Sequence, residues 1–381
     1  MKTKYFTFGE TVPVSNFIDR ESETRRLTAS FENGINTVLV SPRRWGKSSL
    51  VKKVAADVNE SRKDIKVVMI DIFLCRNEQE FLKVFSSEVI KQTSTKWEEW
   101  VSNTKHFLSG LTPKISLGVD PMTDFSVSLD YSDSEVTAKE VLTLPQRIAE
   151  RQGVSIVVCI DEFQQIAEFG DAVGFQKKLR SYWQHQNDVS YCLYGSKKHI
   201  LTKMFSRQSM PFYKFGDMIF LNKIDTQHWV EYIVRQFELS GKIISEDFAT
   251  EICEKVENHS SYVQQLSWLV WLNTDKIVDR DVFDEAVNDL INQNSALFFR
   301  YLDSLTQFQI NFLNAIADGV ESEFSRSEIM SKYNLGTAAN IKRLKDSLEN
   351  KELIDVNEKR VTFNDPVFKL WFKKETRILG V

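Results

Sequence analysis

Residues 38–48 read Val-Leu-Val-Ser-Pro-Arg-Arg-Trp-Gly-Lys-Ser, an apolar strand that runs straight into a loop ending in Gly-Lys-Ser. The spacing is that of a phosphate-binding P-loop (Walker A), G-x-x-x-x-G-K-[ST], with Ser41 where the first glycine normally sits. Backbone N–H groups of Arg43 to Lys47 are expected to wrap a polyphosphate, and the helix that follows aims its positive N-terminal end at it. In this reading Lys47 reaches the β- and γ-phosphates and the Ser48 hydroxyl sits on Mg2+. The nucleotide-holding stretch is then Pro42, Arg43, Arg44, Trp45, Gly46, Lys47, Ser48 and Ser49.

Such a loop needs a second strand that ends in carboxylates, and residues 154–163, Val-Ser-Ile-Val-Val-Cys-Ile-Asp-Glu-Phe, supply one (Walker B). A run of β-branched residues ending in two acids is expected of a strand buried in a parallel sheet. Asp161 would hold Mg2+ through water, and Glu162 would orient or deprotonate the attacking water. The plainer alternative makes Asp161 a helix cap and Glu162 a solvated acid. Both motifs in one chain, in this order, point to a nucleoside triphosphate.

A length of 381 residues suggests two or three domains. The composition, 42% hydrophobic and 27% charged, is that of a soluble globular protein. A net charge of −4 argues against a globally basic nucleic-acid coat but leaves room for a local patch. Cys75, Cys159, Cys192 and Cys253 are far apart in sequence and read as buried free thiols in a reducing compartment. No apolar run approaches a membrane span and the N-terminus lacks a signal-peptide core, so a cytoplasmic location with no membrane partner is expected.

Phe17-Ile-Asp-Arg-Glu-Ser-Glu opens a helix with Asp19 as its expected N-cap. Strands are expected at 37–40, 66–71, 154–160, 190–194 and 217–221, with helices between most of them. This alternation predicts an α/β domain with a five-stranded parallel sheet over residues 1–222, and a ligand at the strands' C-terminal ends. Ser41, Asp71, Asp161 and Ser196 all fall there. A β-hairpin insertion is expected at about 112–135, alternating Ile115, Leu117, Val119 and then Phe125, Val127, Leu129, Tyr131 around Asp120–Asp124. It is either a contacting arm or a hairpin packed on the domain edge. Residues 223–293 read as a helical domain with core stripes Trp229, Ile233, Phe237 and Phe248, Ile252, Val256. Residues 294–381 read as three helices and a short hairpin around Asn357-Glu358-Lys359, the pattern of a winged helix.

Together these features resemble the AAA+ superfamily, in particular the archaeal-type ATPases of its STAND-related branch. The carrying residues are Phe17-Ile-Asp-Arg-Glu, Ser41-Pro-Arg-Arg-Trp-Gly-Lys-Ser, Ile160-Asp-Glu-Phe-Gln, Tyr194-Gly-Ser, Asn258-His-Ser-Ser-Tyr-Val-Gln-Gln and Phe363-Asn-Asp-Pro-Val-Phe-Lys-Leu-Trp-Phe. The resemblance implies a P-loop NTPase core, a helical lid at 223–293 and ATP rather than GTP. It implies that Phe17, Ile18 and Arg20 line the base pocket and that Ser196 is a catalytic sensor beside Glu162 and Lys47. It also implies that His259 to Gln265 touch the nucleotide. Many relatives carry an arginine after the fourth strand; here Lys214 or Arg207 would substitute. The chain stops soon after Trp371, so no nuclease chemistry is expected.

The winged helix would expose Asn340, Lys342, Arg343 and Ser347, with Lys359, Arg360, Lys369, Lys373 and Lys374 nearby. Residues 300–381 hold 13 basic and 12 acidic residues, a weak electrostatic footprint for DNA. No histidine pair has metal-ligand spacing and no nucleophile elbow is present. The leading expectation is a Mg2+-dependent ATPase that acts as a conformational switch read out by the winged helix. The alternatives are a nucleotide-regulated protein- or DNA-binding module with negligible hydrolysis, and a DNA-binding regulator with a structural nucleotide site. Expected partners are ATP and ADP, DNA or protein at the winged helix, and further copies of the chain.

Overall fold

Five runs of Val, Ile and other apolar residues assemble into one parallel sheet in the computed structural model. The structure describes residues 4–10, 12, 17–94, 114–116, 126–128, 134–357 and 360–379. These fall into two units, Thr11–Asn222 and a second formed by Met1–Glu10 with Lys223–Val381. Residues 4–10 therefore belong with the later part of the chain and not with the sheet.

In chain order the first unit holds α1 (Glu21–Glu32), β1 (Thr37–Val40), α2 (Lys47–Ser61), β2 (Ile65–Asp71) and α3 (Glu78–Thr93). Next come β3 (Lys114–Ser116), β4 (Ser126–Ser128), α4 (Ser134–Leu142), α5 (Leu144–Gln152) and β5 (Ser155–Asp161). It closes with α6 (Ala172–Trp183), β6 (Val189–Gly195), α7 (Lys198–Ser206) and β7 (Asp217–Phe220). The sheet order is β2-β5-β6-β1-β7, every pair parallel. All five expected strands are present. Val40 lies beside Gly195 and Phe220, and Asp71 beside Asp161, so the strands end together along one edge.

Strand alternation sorts side chains to two faces. Val38, Val68, Ile156, Val158, Ile160, Tyr191 and Leu193 pack beneath α3 to α7. Leu39, Val67, Val157, Cys159, Cys192 and Tyr194 pack beneath α1 and α2. A sheet covered on both faces reads as continuous apolar runs, which is why the strands stood out. One expectation needs correction. The N-cap of α1 is Arg20, in the left-handed region at φ 72° and with no side-chain cap; Asp19 precedes it at φ 50°. Cys159 and Cys192, distant in sequence, are register partners on β5 and β6. All four cysteines are buried free thiols.

The inserted hairpin is present as β3 paired antiparallel with β4, Ile115 opposite Val127. Its turn, together with Leu117, Val119, Asp120–Asp124, Phe125, Leu129 and Tyr131, lies outside the described residues.

The second unit contains α8 (Thr226–Leu239), α9 (Glu246–Lys255), α10 (Ser260–Asn273), α11 (Arg280–Asp303), α12 (Gln307–Ala317), α13 (Ser327–Lys332) and α14 (Ala338–Asn350). β8 (Ile354–Asn357), β9 (Arg360–Phe363) and α15 (Pro366–Leu379) complete it. Trp229, Ile233, Phe237, Ile252 and Val256 are buried as their spacing suggested. The helical spacing of Phe308, Phe312 and Ile316 suggests one inward stripe on α12; Phe312 and Ile316 are buried together with Leu313, whereas Phe308 is 43% exposed. The 24-residue helix α11 runs unbroken through residues 293 and 294, where the sequence pattern placed a division. The N-terminal stretch is anchored in this unit: Thr7 N–H donates to Gln264 Oε1 at 3.0 Å and the Tyr232 hydroxyl donates to the Tyr5 carbonyl at 2.9 Å. The β8–β9 wing pairs Val356 with Val361, and Lys359 at its tip lies outside the described residues.

Beneath the sheet, Trp183 stacks on Tyr191 at 4.0 Å and meets Phe85, Phe163 and Phe212 within 6.2 Å. Truncating a fully buried tryptophan leaves a cavity that such a cluster cannot collapse into. Trp183→Ala is expected to lower unfolding free energy by about 3–5 kcal/mol in guanidinium titrations; a loss under about 1 kcal/mol would show that the cluster does not anchor this face.

Candidate functional site

The loop between β1 and α2 turns through two left-handed residues, Arg44 at φ 63° and Gly46 at φ 89°. Gly46 is also the N-cap of α2, so the first N–H groups of that helix open at the loop. Ser41 carries no positive φ and is buried, its hydroxyl donating to the Pro42 carbonyl at 3.1 Å. A glycine is therefore not needed at position 41. Ser49, expected among the nucleotide-holding residues, accepts from the Val12 N–H at 3.1 Å.

The end of β5 meets this loop. Ser48 Oγ donates to Asp161 Oδ2 at 2.7 Å, and Lys47 Nζ stands 3.7 Å from Glu162 Oε1. Glu162 is left-handed at φ 54°, a costly conformation for a non-glycine residue, and it swings its carboxylate back over the strand end. Ser196, at the end of β6, donates to Glu162 Oε2 at 2.9 Å. Lys47, Ser48, Asp161, Glu162 and Ser196, far apart in sequence, thus share one site.

Burial pushes the Asp161 carboxyl up, more than the Ser48 hydroxyl and the Lys47 charge pull it down. Burial also pushes Glu162 up, but here Lys47, the amide of Gln164, Ser196 and Arg43 together hold it below the usual carboxylate range. The partners of Glu162 outweigh its desolvation, whereas those of Asp161 offset only part of its own. Among the described residues no group of three or more His, Cys, Asp or Glu could hold a metal by itself. One carboxylate and one hydroxyl are hard oxygen donors that suit Mg2+ when phosphate oxygens and water complete the shell.

Two residues of this site were not singled out as functional from sequence. Gln164 is buried and its amide donates to Glu162 Oε2. Gly195 makes room for it, since a Cβ there would lie 1.8 Å from Gln164 Oε1. The available signal was position: Gln164 lies two residues beyond Glu162, and Gly195 directly precedes Ser196.

Other candidates are placed differently. Phe17 packs half-buried on the α2 side of the core, with Lys53 Nζ 5.9 Å from its ring, and Ile18 is half-buried beside it in sequence. Arg20 is buried, and its guanidinium donates to the Trp45 carbonyl at 3.0 Å and the Asn222 carbonyl at 2.8 Å. Arg207 caps α7, and Lys214 is left-handed with its ammonium 5.4 Å from the Tyr213 ring. In the second unit, Tyr262 donates to Asp365, Gln264 accepts from Thr7, and Gln265 donates to Gln293. On the winged helix, Asn340 donates to the Leu335 carbonyl and Ser347 accepts from Gln309, so both are occupied in holding the fold. Lys342 and Arg343 remain exposed. Arg360 pairs with Glu321, and Lys369 with Glu257.

The model of a probable winged helix domain matches residues 296–374. No curated protein matches the sequence. Among solved structures, the Walker-type ATPase PABY2304 of Pyrococcus abyssi is similar at a TM-score of 0.67 and 20% identity, over 97% of this chain and 100% of that one. The ORC2 protein of Aeropyrum pernix, solved as ADPNP-ADP complexes, is similar at 0.58 and 14% identity, over 98% and 99%. The chain has the fold of the AAA+ ATPases, a five-stranded parallel sheet core, followed by a C-terminal winged helix domain.

The tight seat of Gln164 can be tested directly. Gly195→Ala is expected to cost about 1–3 kcal/mol in urea unfolding, and adding Gln164→Ala should recover part of that loss. Additive losses in the double variant would remove the proposed steric link.

Proposed function

We propose that the chain is a Mg2+-dependent ATPase that acts as a nucleotide-driven conformational switch with its winged helix as readout. The observation that carries this is the convergence of Lys47 and Ser48 on Asp161 and Glu162 at the sheet's C-terminal edge. Lys47 would hold the β- and γ-phosphates, leaving its present partner Glu162 to accept a proton from the attacking water. Ser48 and Asp161 would hold Mg2+, which, when bound, neutralises phosphate charge. Ser196 and Gln164 would keep the Glu162 carboxylate aimed. The backbone N–H groups around Gly46 supply directed dipoles at no reorganisation cost.

One observation favours a second reading, a nucleotide-regulated binding module with negligible hydrolysis: Glu162 is engaged at once by Lys47, Ser196 and Gln164. A base held by three partners needs release before it can work. For the partner of the winged helix, exposed Lys342 and Arg343 support DNA weakly, since Asn340 and Ser347 are already used; a protein partner fits equally. Among the described residues no helix is long and apolar enough to cross a membrane, and the four free thiols fit a reducing, cytoplasmic setting.

Lys47→Ala is expected to abolish ATP binding in calorimetry, while Glu162→Gln binds ATP and loses hydrolysis by about 10²–10⁴-fold. Equal phosphate release by wild type and Glu162→Gln would select the binding-module reading. The two carboxyls also separate with pH. Because Asp161 is shifted up and Glu162 down, acidification should first raise the Mg2+ concentration needed for half-maximal turnover. Only at lower pH should the turnover at saturating Mg2+ fall. A magnesium titration of ATPase rate at stepped pH checks this; simultaneous loss of both would contradict the assignment.

A further inference from the structure

Asp71 closes β2 as Asp161 closes β5, and the two acids are register partners on adjacent parallel strands. The ladder continues past them: the Ile72 N–H donates to the Asp161 carbonyl at 3.4 Å, so the backbone on both sides of the pair is held. Neighbouring strands lie about 4.8 Å apart, and residues in register share a face of the sheet. The residues beneath decide which face. Val67 and Met69 on β2, and Val157 and Cys159 on β5, all pack on the side covered by α1 and α2. Continuing that alternation brings Asp71 and Asp161 out on the same side, where α2 begins with Lys47 and Ser48.

Tyr194 supports this placement from the next strand. It follows Leu193, the register partner of Ile160, and is buried on the same face. Burial raises its hydroxyl pKa, and the charges of Asp161 and, more weakly, Asp71 raise it further. One buried ring thus senses both carboxylates.

The two acids are used differently. Asp161 accepts from Ser48, whereas Asp71 is exposed and its Oδ1 accepts the Phe73 N–H at 2.8 Å. That turn needs an acceptor and not a charge; asparagine would serve it equally. The charge itself is unfavourable there, one strand spacing from Asp161 and close to Glu162, because like charges repel. A divalent cation reverses the sign of that cost. Mg2+ keeps several of its waters when bound, and outer groups that receive those waters tune its affinity.

We propose that Asp71 is a positioning residue for Mg2+, an outer carboxylate that accepts a hydrogen bond from a water of the ion's shell while Ser48 and Asp161 hold the ion. This rests on the nucleotide-binding reading above. The two neighbouring strands then each contribute one acid to the same cation, the inner from β5 and the outer from β2.

The test titrates the full chain with N-methylanthraniloyl-ATP by fluorescence, once in EDTA and once in saturating Mg2+. The ratio of the two dissociation constants reads what the ion adds to binding. Asp71→Asn keeps the acceptor for the Phe73 N–H and removes only the charge. It should lower that ratio about tenfold. Metal-free affinity should stay equal or rise, since a carboxylate that repels the triphosphate is gone. Asp71→Ser, which also keeps an acceptor for the turn, should behave alike and decides if Asp71→Asn does not fold. An unchanged ratio in the charge-free variant would overturn the proposal. So would equal weakening in EDTA and in Mg2+, the mark of general damage, or wild-type binding indifferent to Mg2+. Wild type that binds the analogue under neither condition would instead overturn the nucleotide reading.

Discussion

The hydrogen bond from Ser48 to Asp161 spans 113 residues of chain, and it exists because β1 and β5 run parallel with a single strand between them. Parallel packing forces strand ends of like polarity to one edge, so loops that never meet in sequence meet there. Everything else at the site is fitted to that alignment. The left-handed turn at Glu162 brings a second acid within reach of Lys47, and β6, wedged between, contributes Ser196 from its own end. A one-residue slip of β5 would exchange the faces of Ile160 and Asp161, placing an acid in the apolar layer. Core packing and site assembly are therefore one constraint.

The electrostatics follow from the same crowding. Two adjacent carboxyls are pushed in opposite directions because Asp161 is the more deeply buried and has fewer partners than Glu162. Asp161 has one hydroxyl and a shared cation; Glu162 has a near cation, an amide and a second hydroxyl. A divalent ion would relieve the first and has little to offer the second. Such division of labour between neighbouring acids is the usual way a single site separates ligand holding from proton handling.

How much could be read from residues alone depended on whether the cause was local. The five strands were legible because doubly covered strands are continuously apolar, and Lys47, Ser48, Asp161 and Glu162 because their spacing is set by the strand–loop–helix unit itself. Gln164 and Gly195 were not singled out, since their fit depends on β5 and β6 being adjacent. The Cys159–Cys192 pairing was invisible for the same reason. Asp19 looked like a cap on composition, but the left-handed backbone at 19 and 20 turns Arg20 inward to main-chain carbonyls instead. Asn340 and Ser347 looked like exposed polar groups on a helix face; tertiary hydrogen bonds to Leu335 and Gln309 had already taken them. α11 carries no Gly or Pro to punctuate it, and it runs on through residues 293 and 294, where the sequence pattern divided a helical domain from the winged helix.

That long helix has a mechanical corollary. At 1.5 Å per residue, the 24 residues of α11 make a rod about 36 Å long. One end carries Phe283, buried against Phe248; towards the other, Phe298 packs on Phe368 and Trp371. α11 thus ties the packing around Phe248 to the packing around Phe368 and Trp371 through one continuous helix.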